Sequence, residues 1–293
     1  MRKVKYVNSS GGELELTNSA PFLLQKFEES ENVNINNSKG VNQDGLTYLG
    51  NTLDSKDIMM EFIIIADSEP SLIKYRDMLR KVFNPKLGEG YVIYTDDVKE
   101  QTIKCIITAI PVFSDVRGHH GITGKVCTGM VSLIANNPFW TELLETRTEI
   151  ALWTPDFRFP LTIKRTGIIF GHREPSVIVN LNNSGDVESG MRIEFKALAT
   201  LTNPSLLNTI TGEFIKMNKT MVSGEIITVS TYFRNKKITS TLNDLVTNAF
   251  NYIDFESTFL QLSVGDNLFK YNADTGVDNL EVRIYYKPQY LGV

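Results

Sequence analysis

The residue types that most often do chemistry are sparse in this chain of 293 residues, and their spacing matches no known type of site. Its three histidines are His119, His120 and His172. No H-E-x-x-H or Cys-x-x-Cys spacing surrounds them or the two cysteines, Cys105 and Cys127. Neighbouring residues of an extended chain point to opposite sides, so His119 and His120 do not converge on one metal ion. The sequence predicts no metal site and no cofactor.

Motifs for nucleotide binding and hydrolysis are missing as well. Gly118, Gly121 and Gly124 do not have the G-x-G-x-x-G spacing of a dinucleotide-binding turn. No G-x-S-x-G nucleophile motif occurs in the chain. A pair of carboxylates such as Asp96 and Asp97 is the type of group that cleaves glycosidic bonds, but adjacent acidic residues between strands are typical of solvated turns. The sequence therefore predicts no catalytic residue.

Composition and charge set the broad class. Hydrophobic residues make up 42% of the chain and charged residues 22%, which at about 150 residues per domain indicates about two globular domains. The net charge of -4 argues against nucleic-acid binding, which normally needs a basic surface. The longest apolar stretch, residues 58–66, is interrupted by Glu61 and falls far short of the roughly 20 residues that span a bilayer. We expect no membrane insertion, no secretion signal and free thiols in a reducing cytosol.

Most of the chain shows the alternation of short β-strands. Residues 101–113 and 124–134 are rich in Ile, Val and Thr, with polar residues at near-alternating positions. Further strands of the first half are predicted at 2–7, 13–16, 48–53, 57–66 and 91–95. Those of the second half are predicted at 161–165, 177–181, 191–198, 213–217, 225–232, 236–241, 259–262 and 280–286. The pattern favours antiparallel sheets, and a β-sandwich in the second half.

Two features interrupt the strands. An amphipathic helix is predicted after Pro70, and Asn84 with Pro85 ends it. Its apolar positions, at spacings of three and four, are Leu72, Tyr75, Leu79, Val82 and Phe83.

Residues 32–50 are rich in Asn, Ser and Gly, which indicates an exposed hairpin that is either an interaction arm or a mobile surface loop. The candidate interface residues of this arm are Asn42, Asp44, Leu46 and Tyr48. The pattern loosens after Trp140, and we predict domains at 1–145 and 146–293.

Several short motifs, taken together, resemble one protein family. In the first half they are Arg76 on the helix, Asn84-Pro85 followed by Gly88 and Gly90, Pro111 with Phe113, and Asn137-Pro138-Phe139-Trp140. In the second half they are Gly185-Asp186, Asn203-Pro204, Gly212 and the segment Tyr290-Leu291-Gly292-Val293. Their order and spacing resemble siphophage distal tail proteins over nearly the whole chain. Lys56 is a departure, because we expect the family to favour arginine there.

The resemblance implies both a fold and a role. The fold is mainly β, with an N-terminal β-sandwich or split-barrel-like ring domain, one flanking helix and a C-terminal galectin-like β-sandwich. The implied role is a hexameric hub of the tail tip that joins the tail tube protein to the tail-associated or tail fibre protein and to receptor-binding proteins. Such a subunit is made in the bacterial host cytoplasm, and DNA passes through its ring without specific binding.

Two alternatives come from other functional classes. A lectin-like module would recognise a host saccharide through exposed aromatic side chains of the second half. An enzyme that degrades cell-wall polymer is disfavoured, because the sequence offers no nucleophile and no metal ligands.

Overall fold

The computed structural model describes residues 2–115, 125–150, 153–155, 171–173 and 178–293. The chain divides into two compact units, one formed by Met1–Leu143 with Tyr290–Val293 and the other by Leu144–Gln289. Each unit has a hydrophobic core of its own. The strand predicted at 161–165 and the pair His119-His120 lie outside the described residues, as does the side chain of His172.

The first unit is built on one antiparallel sheet. Its strands are β1 (Lys3–Val7), β2 (Glu13–Leu16), β3 (Phe22–Ser38), β4 (Thr47–Ile65), β5 (Glu89–Thr95), β6 (Glu100–Ile107), β7 (Val112–Asp115), β8 (Val126–Ala135) and β9 (Trp140–Glu142). The order in the sheet is β2-β1-β5-β6-β8-β4-β3, with β7 paired to β8 and β9 paired to β6. Leu14 of β2 and Phe22 of β3 belong to the same core although their strands are at opposite ends of this order, so the sheet curls around that core.

Strand β4 shows how the sequence makes this sheet. Ile58, Met60, Phe62 and Ile64 are buried and alternate with less buried neighbours, as a strand with one face on the core requires. The predicted strands 48–53 and 57–66 are parts of this one strand. The predicted strand 101–113 is instead interrupted after Ile107, and its remainder is β7. The sequence does not predict strand β3, because its Gln, Lys and Glu residues hide its alternation.

The helix α1 (Glu69–Val82) confirms the predicted element. Its N-terminus is capped by Ser68, whose hydroxyl accepts a hydrogen bond from the Ser71 N–H, and Pro70 occupies the first turn. Leu72, Leu79 and Val82 are buried against the core. A short 3-10 helix, η1 (Pro85–Leu87), follows. Because the buried positions recur every three to four residues, one face of α1 covers the sheet.

The second unit is a β-sandwich. Its strands are β10 (Thr146–Ile150), β11 (Trp153–Pro155), β12 (Gly171–Arg173), β13 (Ile178–Asn183), β14 (Met191–Ala197), β15 (Leu201–Thr202), β16 (Ser205–Asn208), β17 (Phe214–Lys216), β18 (Thr220–Met221), β19 (Ile226–Ser230), β20 (Lys237–Leu242), β21 (Leu245–Asn248), β22 (Gly265–Asn272), β23 (Leu280–Tyr286) and β24 (Gln289–Tyr290), the last crossing into the first unit. Two 3-10 helices, η2 (Phe250–Tyr252) and η3 (Val277–Asn279), lie among them. One sheet has the order β10-β23-β14-β19-β20-β21 and the other β13-β22-β16-β17, while β11 pairs β12 and β15 pairs β18.

Both sheets contribute to the second core. Ile193 and Phe195 of β14 and Ile284 of β23 are fully buried, as are Leu206 of β16 and Phe269 of β22 on the other sheet. The prediction of a strand at 259–262 was wrong. Leu262 forms only an isolated bridge to Ser189, because the ladder ends after one pair of hydrogen bonds.

The two cysteines are buried free thiols. Burial raises the pKa of the Cys105 thiol to about 12, because the low-dielectric core disfavours the thiolate. Cys105 is therefore a packing residue rather than a nucleophile.

Candidate functional site

The predicted exposed hairpin is the outer half of β3 and β4. Strand β4 pairs with β8 from Ile65 to Lys56, so beyond Lys56 only β3 accompanies it. Residues 32–54, here called the arm, therefore form a two-stranded ribbon that extends to the pair Ser38 and Thr47. An isolated ribbon of this kind is marginally stable in water, since it has no third strand or packed face.

The arm carries an apolar stripe on one of its faces. Residues opposite each other in an antiparallel ladder share a face, and so do residues two apart on one strand. Val33 pairs with Leu53, and Ile35, two residues further, lies on the same face. Asn37 follows on that face and pairs with Tyr48. Ile35 and Tyr48 are 60% and 61% exposed, so the stripe faces solvent in the single chain.

The other face of the arm is polar. Asn36 is opposite Gly50, and Asn34 is opposite Thr52. The tip is closed by the Gln43 side chain, which accepts a hydrogen bond from the Gly40 N–H and donates one to the Thr47 hydroxyl. The predicted residues Asn42 and Asp44 lie at this tip, with the predicted Leu46 just beyond it, and all are exposed. The arm is thus amphipathic along most of its length, with the exposed Leu49 in the bulge between Gly50 and Tyr48.

Strand β3 also supplies a free sheet edge. It is the last strand of the sheet order, and Thr17 bridges only its first residues, by accepting a hydrogen bond from the Leu24 N–H. Beyond Leu24 no other strand pairs with this edge in the part of the chain that the structure describes. A long unpaired edge is a template for pairing with another chain.

At the base of the arm lies a buried charge cluster around Lys56, whose side chain is 1% exposed. Its ammonium lies 3.1 Å from Glu29 Oε2 and 2.9 Å from Glu31 Oε2, and it donates a hydrogen bond to the Leu291 carbonyl. Trp140 Nε1 donates to the same Glu29 oxygen at 2.7 Å, and the Val293 N–H donates to Glu29 Oε1 at 3.1 Å. Lys56 therefore neutralises two partly buried carboxylates of β3 at the base of the arm.

The same cluster fixes residues 290–293 in the first unit. The sequence placed these residues in a domain at 146–293, whereas the structure places them with residues 1–143. The physical reason is local hydrogen bonding, because Glu29 and Lys56 bind the backbone of this segment and the Tyr290 hydroxyl donates to Glu142 at 3.0 Å.

Two of the motif residues on separate elements meet in space. The guanidinium carbon of Arg76 on α1 lies 5.8 Å from the centre of the Phe113 ring on β7, and that of Arg80 lies at 5.3 Å. Arg76 Nε also donates to the Cys127 sulfur at 3.4 Å. Pro111, buried just before β7, fixes the approach of that strand. These contacts hold α1 against the edge strand β7.

The Asn84 to Gly90 motif is a turn that leads the chain from α1 into β5. Asn84 Oδ1 accepts a hydrogen bond from the Lys86 N–H at 3.0 Å, and Pro85 starts the 3-10 helix. Gly88 follows with a φ of 76°, which favours glycine. A Cβ on the buried Gly90 would lie 2.6 Å from both the Tyr6 hydroxyl and the Val7 carbonyl oxygen. Glycine at this position lets β1 and β5 approach each other.

Replacement of Gly90 by alanine is therefore expected to destabilise the first unit by about 1–3 kcal/mol, since the Val7 backbone cannot move freely out of the way. The control is Gly40→Ala in the exposed arm, where the added Cβ meets no backbone and only the Gln43 side chain, at 3.2 Å. Urea denaturation followed by circular dichroism measures both variants. Equal stability of the two would contradict the close approach seen at Gly90.

The third motif of the first half surrounds Trp140. Asn137 Oδ1 accepts a hydrogen bond from the Phe139 N–H at 3.4 Å, and Pro138 is buried. Trp140 is fully buried and lies 6.2 Å from Phe27 and 6.4 Å from Tyr94, ring centre to ring centre. The motif thus anchors β9 in the core.

The motif residues of the second unit shape its turns. The Asp186 N–H donates to the Gln289 carbonyl at 2.8 Å, and a Cβ on the neighbouring Gly185 would lie 2.5 Å from that carbonyl oxygen. Asn203, at a φ of 53°, donates to Asp274 at 2.8 Å, and the Pro204 carbonyl accepts from the Met217 N–H. The Gly212 N–H donates to the Asn208 carbonyl in the turn from β16 to β17. These motif residues thus form turns and caps in different parts of the second unit.

Models of known protein families match both halves of the chain. Residues 9–124 match the model described as phage tail protein RIFT-related domain. Residues 184–290 match the model described as siphovirus-type tail component, C-terminal domain. The two matches fall in the order that the motifs predicted and together span more than half of the chain. The chain belongs to the siphovirus distal tail protein family. The family prediction is confirmed.

Solved structures share the fold of this distal tail protein. The crystal structure of SPP1 Dit (gp 19.1), described as a paradigm of hub adsorption apparatus in phages that infect Gram-positive bacteria, aligns with a TM-score of 0.69 and 12% identity, covering 98% of this chain and 99% of that one. Two structures of the phage P2 baseplate in its activated conformation, with Ca and with Sr, each align with a TM-score of 0.52 and 12% identity over 100% of both chains. No curated protein sequence matches significantly. The predicted mainly β class with a galectin-like C-terminal domain is confirmed.

Sequence reasoning missed several residues of this distal tail protein that now stand out. Val33 and Ile35 were hidden inside an Asn-rich run, although their spacing of two already indicates one face of a strand. Lys56 stands out in the sequence only as a departure from an expected arginine, because burial of a lysine beside Glu29 and Glu31 depends on the pairing of β3 with β4.

Proposed function

We propose that this chain is a structural subunit of the tail-tip hub and that it assembles as a hexameric ring. The ring joins the tail tube protein to the tail-associated or tail fibre protein and holds receptor-binding proteins at its periphery. The observation that carries the proposal is the arm, a two-stranded ribbon with the apolar residues Val33, Ile35 and Tyr48 exposed on one face.

A ring of identical copies would cover the exposed apolar residues of the arm. Exposed apolar groups on a marginally stable ribbon favour association, and a copy of the same chain offers a cover. Rotational symmetry repeats each contact until the ring closes, so that every copy gains the same cover for its arm and for the β3 edge. Permanent interfaces of this type bury about 2,000 Å² or more.

The proposed role requires contact rather than catalysis. In the described residues no group of three His, Cys, Asp or Glu side chains could hold a metal ion. The motif residues there cap helices, close turns or pack cores. The net charge of -4 is compatible with DNA passing through the ring without being trapped by its phosphates.

No helix in the described part of the chain is long and apolar enough to cross a bilayer.

The assembly state tests the proposal directly. Size-exclusion chromatography with light scattering is expected to give the mass of six chains of 33.0 kDa, and negative-stain images are expected to show closed rings. A chain that stays monomeric up to high protein concentration, alone and with the tail-associated protein present, would contradict the ring.

A further inference from the structure

The outward face of the six-stranded sheet in the second unit carries two ordered rows of polar side chains. The strand register sets the first row as Arg147, Tyr285, Arg192, Ser230 and Lys237. It sets the second row as Glu149, Arg283, Glu194, Thr228 and Thr239. The alternate residues of these strands are buried in the core, so both rows point away from it.

On β10, β23 and β14 the charges of these rows are paired within the sheet. Arg192 forms ion pairs with Glu194 and, at 2.9 Å, with Glu145, and its guanidinium carbon lies 3.8 Å from the centre of the Tyr285 ring. Arg283 lies 3.3 Å from Glu149. Arg192 is therefore held in one position, with its side chain fixed between two carboxylates and an aromatic ring.

On β19 and β20 the rows behave differently. Across the described residues, the Lys237 ammonium has no carboxylate within 4.0 Å, and the hydroxyls of Thr228 and Thr239 make no hydrogen bond to protein. These three groups are neighbours through the register, with Thr228 opposite Thr239 and Lys237 two residues before Thr239 on β20. The polar groups left for a ligand thus lie side by side next to the fixed Arg192.

A cup of about 370 Å³ opens at this place. Its lining residues are Glu145, Arg192, Thr228, Ser230, Tyr232, Asn235, Lys237 and Thr239. Tyr232 forms its one aromatic wall. Burial raises the pKa of Tyr232, and the charge of Glu145 adds to the rise, so its hydroxyl stays neutral and keeps its proton. The volume lies at the lower end of the range for small-molecule sites.

The chemistry of the cup narrows the ligand class. It combines hydroxyl groups, an amide, two cations and a carboxylate, so it offers hydrogen-bond donors and acceptors within one small space. A protein partner would need apolar anchors, and Tyr232 alone supplies aromatic surface. A simple inorganic anion could pair with Lys237 but would leave the acceptor groups of the cup unused, and a nucleic acid needs a run of unpaired cations. A polyol, whose hydroxyls both donate and accept, matches every group.

We propose that this cup on the β14, β19 and β20 face binds a saccharide, with Arg192, Thr228, Thr239 and Lys237 as its hydrogen-bonding residues. The inference goes beyond the hub role and does not depend on ring formation, because all the residues belong to one chain and one unit. It also differs from the lectin predicted from exposed aromatics, since hydroxyl and charged groups carry the contact.

The test uses the full chain and a panel of soluble sugars: glucose, galactose, N-acetylglucosamine, glucuronate and disaccharides of these. Saturation-transfer NMR is expected to show contact of at least one sugar with the protein, and titration calorimetry then gives its affinity. The double variant Thr228→Val with Thr239→Val removes two hydrogen bonds at nearly constant shape, and it is expected to weaken binding about 10- to 30-fold.

The matched control is Thr241→Val, which alters the same face of β20 outside the cup. The control is expected to bind as the unaltered chain does, and circular dichroism checks that all variants remain folded. Absence of binding to the whole panel would overturn the proposal. So would binding that the double variant leaves unchanged, since the sugar would then occupy another place.

Discussion

A chain in which residues 37–50 are replaced by an Asn-Gly turn is expected to fold and to lose its ring. The arm contributes no residue to the core of the first unit, so its removal leaves that core and the second unit intact. Asn-Gly favours a tight β-hairpin connection, and together with Asn36 it would form a three-residue loop between Ile35 and Asn51, which are paired in the ladder. Light scattering after size exclusion is expected to give the mass of one chain.

Point variants separate the apolar stripe from the length of the arm. Replacing both Val33 and Ile35 by serine removes two apolar side chains per copy, each worth about 1.5–3 kcal/mol when buried. A loss of about 3 kcal/mol at each contact weakens association more than 100-fold. The matched control replaces Asn36 and Thr52 by serine on the polar face and is expected to leave the ring unchanged. Rings that survive both the turn replacement and the Val33 and Ile35 change would show the arm to be a passive loop.

Lys56→Met is expected to lower the free energy of unfolding of the first unit by about 3–5 kcal/mol. The substitution removes the cation that lies within 3.1 Å of Glu29 and Glu31 and leaves their carboxylates without a counter-charge in a poorly solvated site. It also removes the hydrogen bond to the Leu291 carbonyl. Urea denaturation followed by tryptophan fluorescence, to which Trp140 beside Glu29 contributes, reports the change.

The control for Lys56 is Lys26→Met. Lys26 pairs with Glu28 at 2.7 Å, but both side chains are about half exposed, and pairs of this kind contribute about 0–1 kcal/mol. A triple variant that combines Lys56→Met with Glu29→Gln and Glu31→Gln removes the stranded charges and is expected to recover part of the loss. A Lys56 variant no less stable than the Lys26 variant would contradict the burial of this cluster.

The elements that are ordered by local patterns could be predicted from the sequence. The helix α1 has a capping serine, a first-turn proline and apolar residues every three to four positions, all of which act within one segment. Strands such as β2 and β23 alternate cleanly and were predicted with the bounds they have. Strand β3 was missed because its stability comes from its ladder with β4 rather than from its own composition.

The candidate sites depended on long-range pairing and were harder to predict. Tyr48 and Leu46 could be chosen because they are apolar residues in a polar run, whereas Val33 joins them only through the register of β3 and β4. The cup in the second unit could not be predicted at all, since Arg192, Thr228 and Thr239 meet through two separate ladders. Motif order identified the family, but it could not show that Arg76 contacts Phe113.

The return of Tyr290–Val293 to the first unit has a mechanical consequence. The polypeptide crosses between the units twice, once after Leu143 and once before Tyr290. A pull on the second unit is therefore shared between the chain around Leu143 and the segment Tyr290–Val293. The backbone of that segment is hydrogen-bonded to Glu29 and Lys56, so its share of the tension reaches the root of the arm.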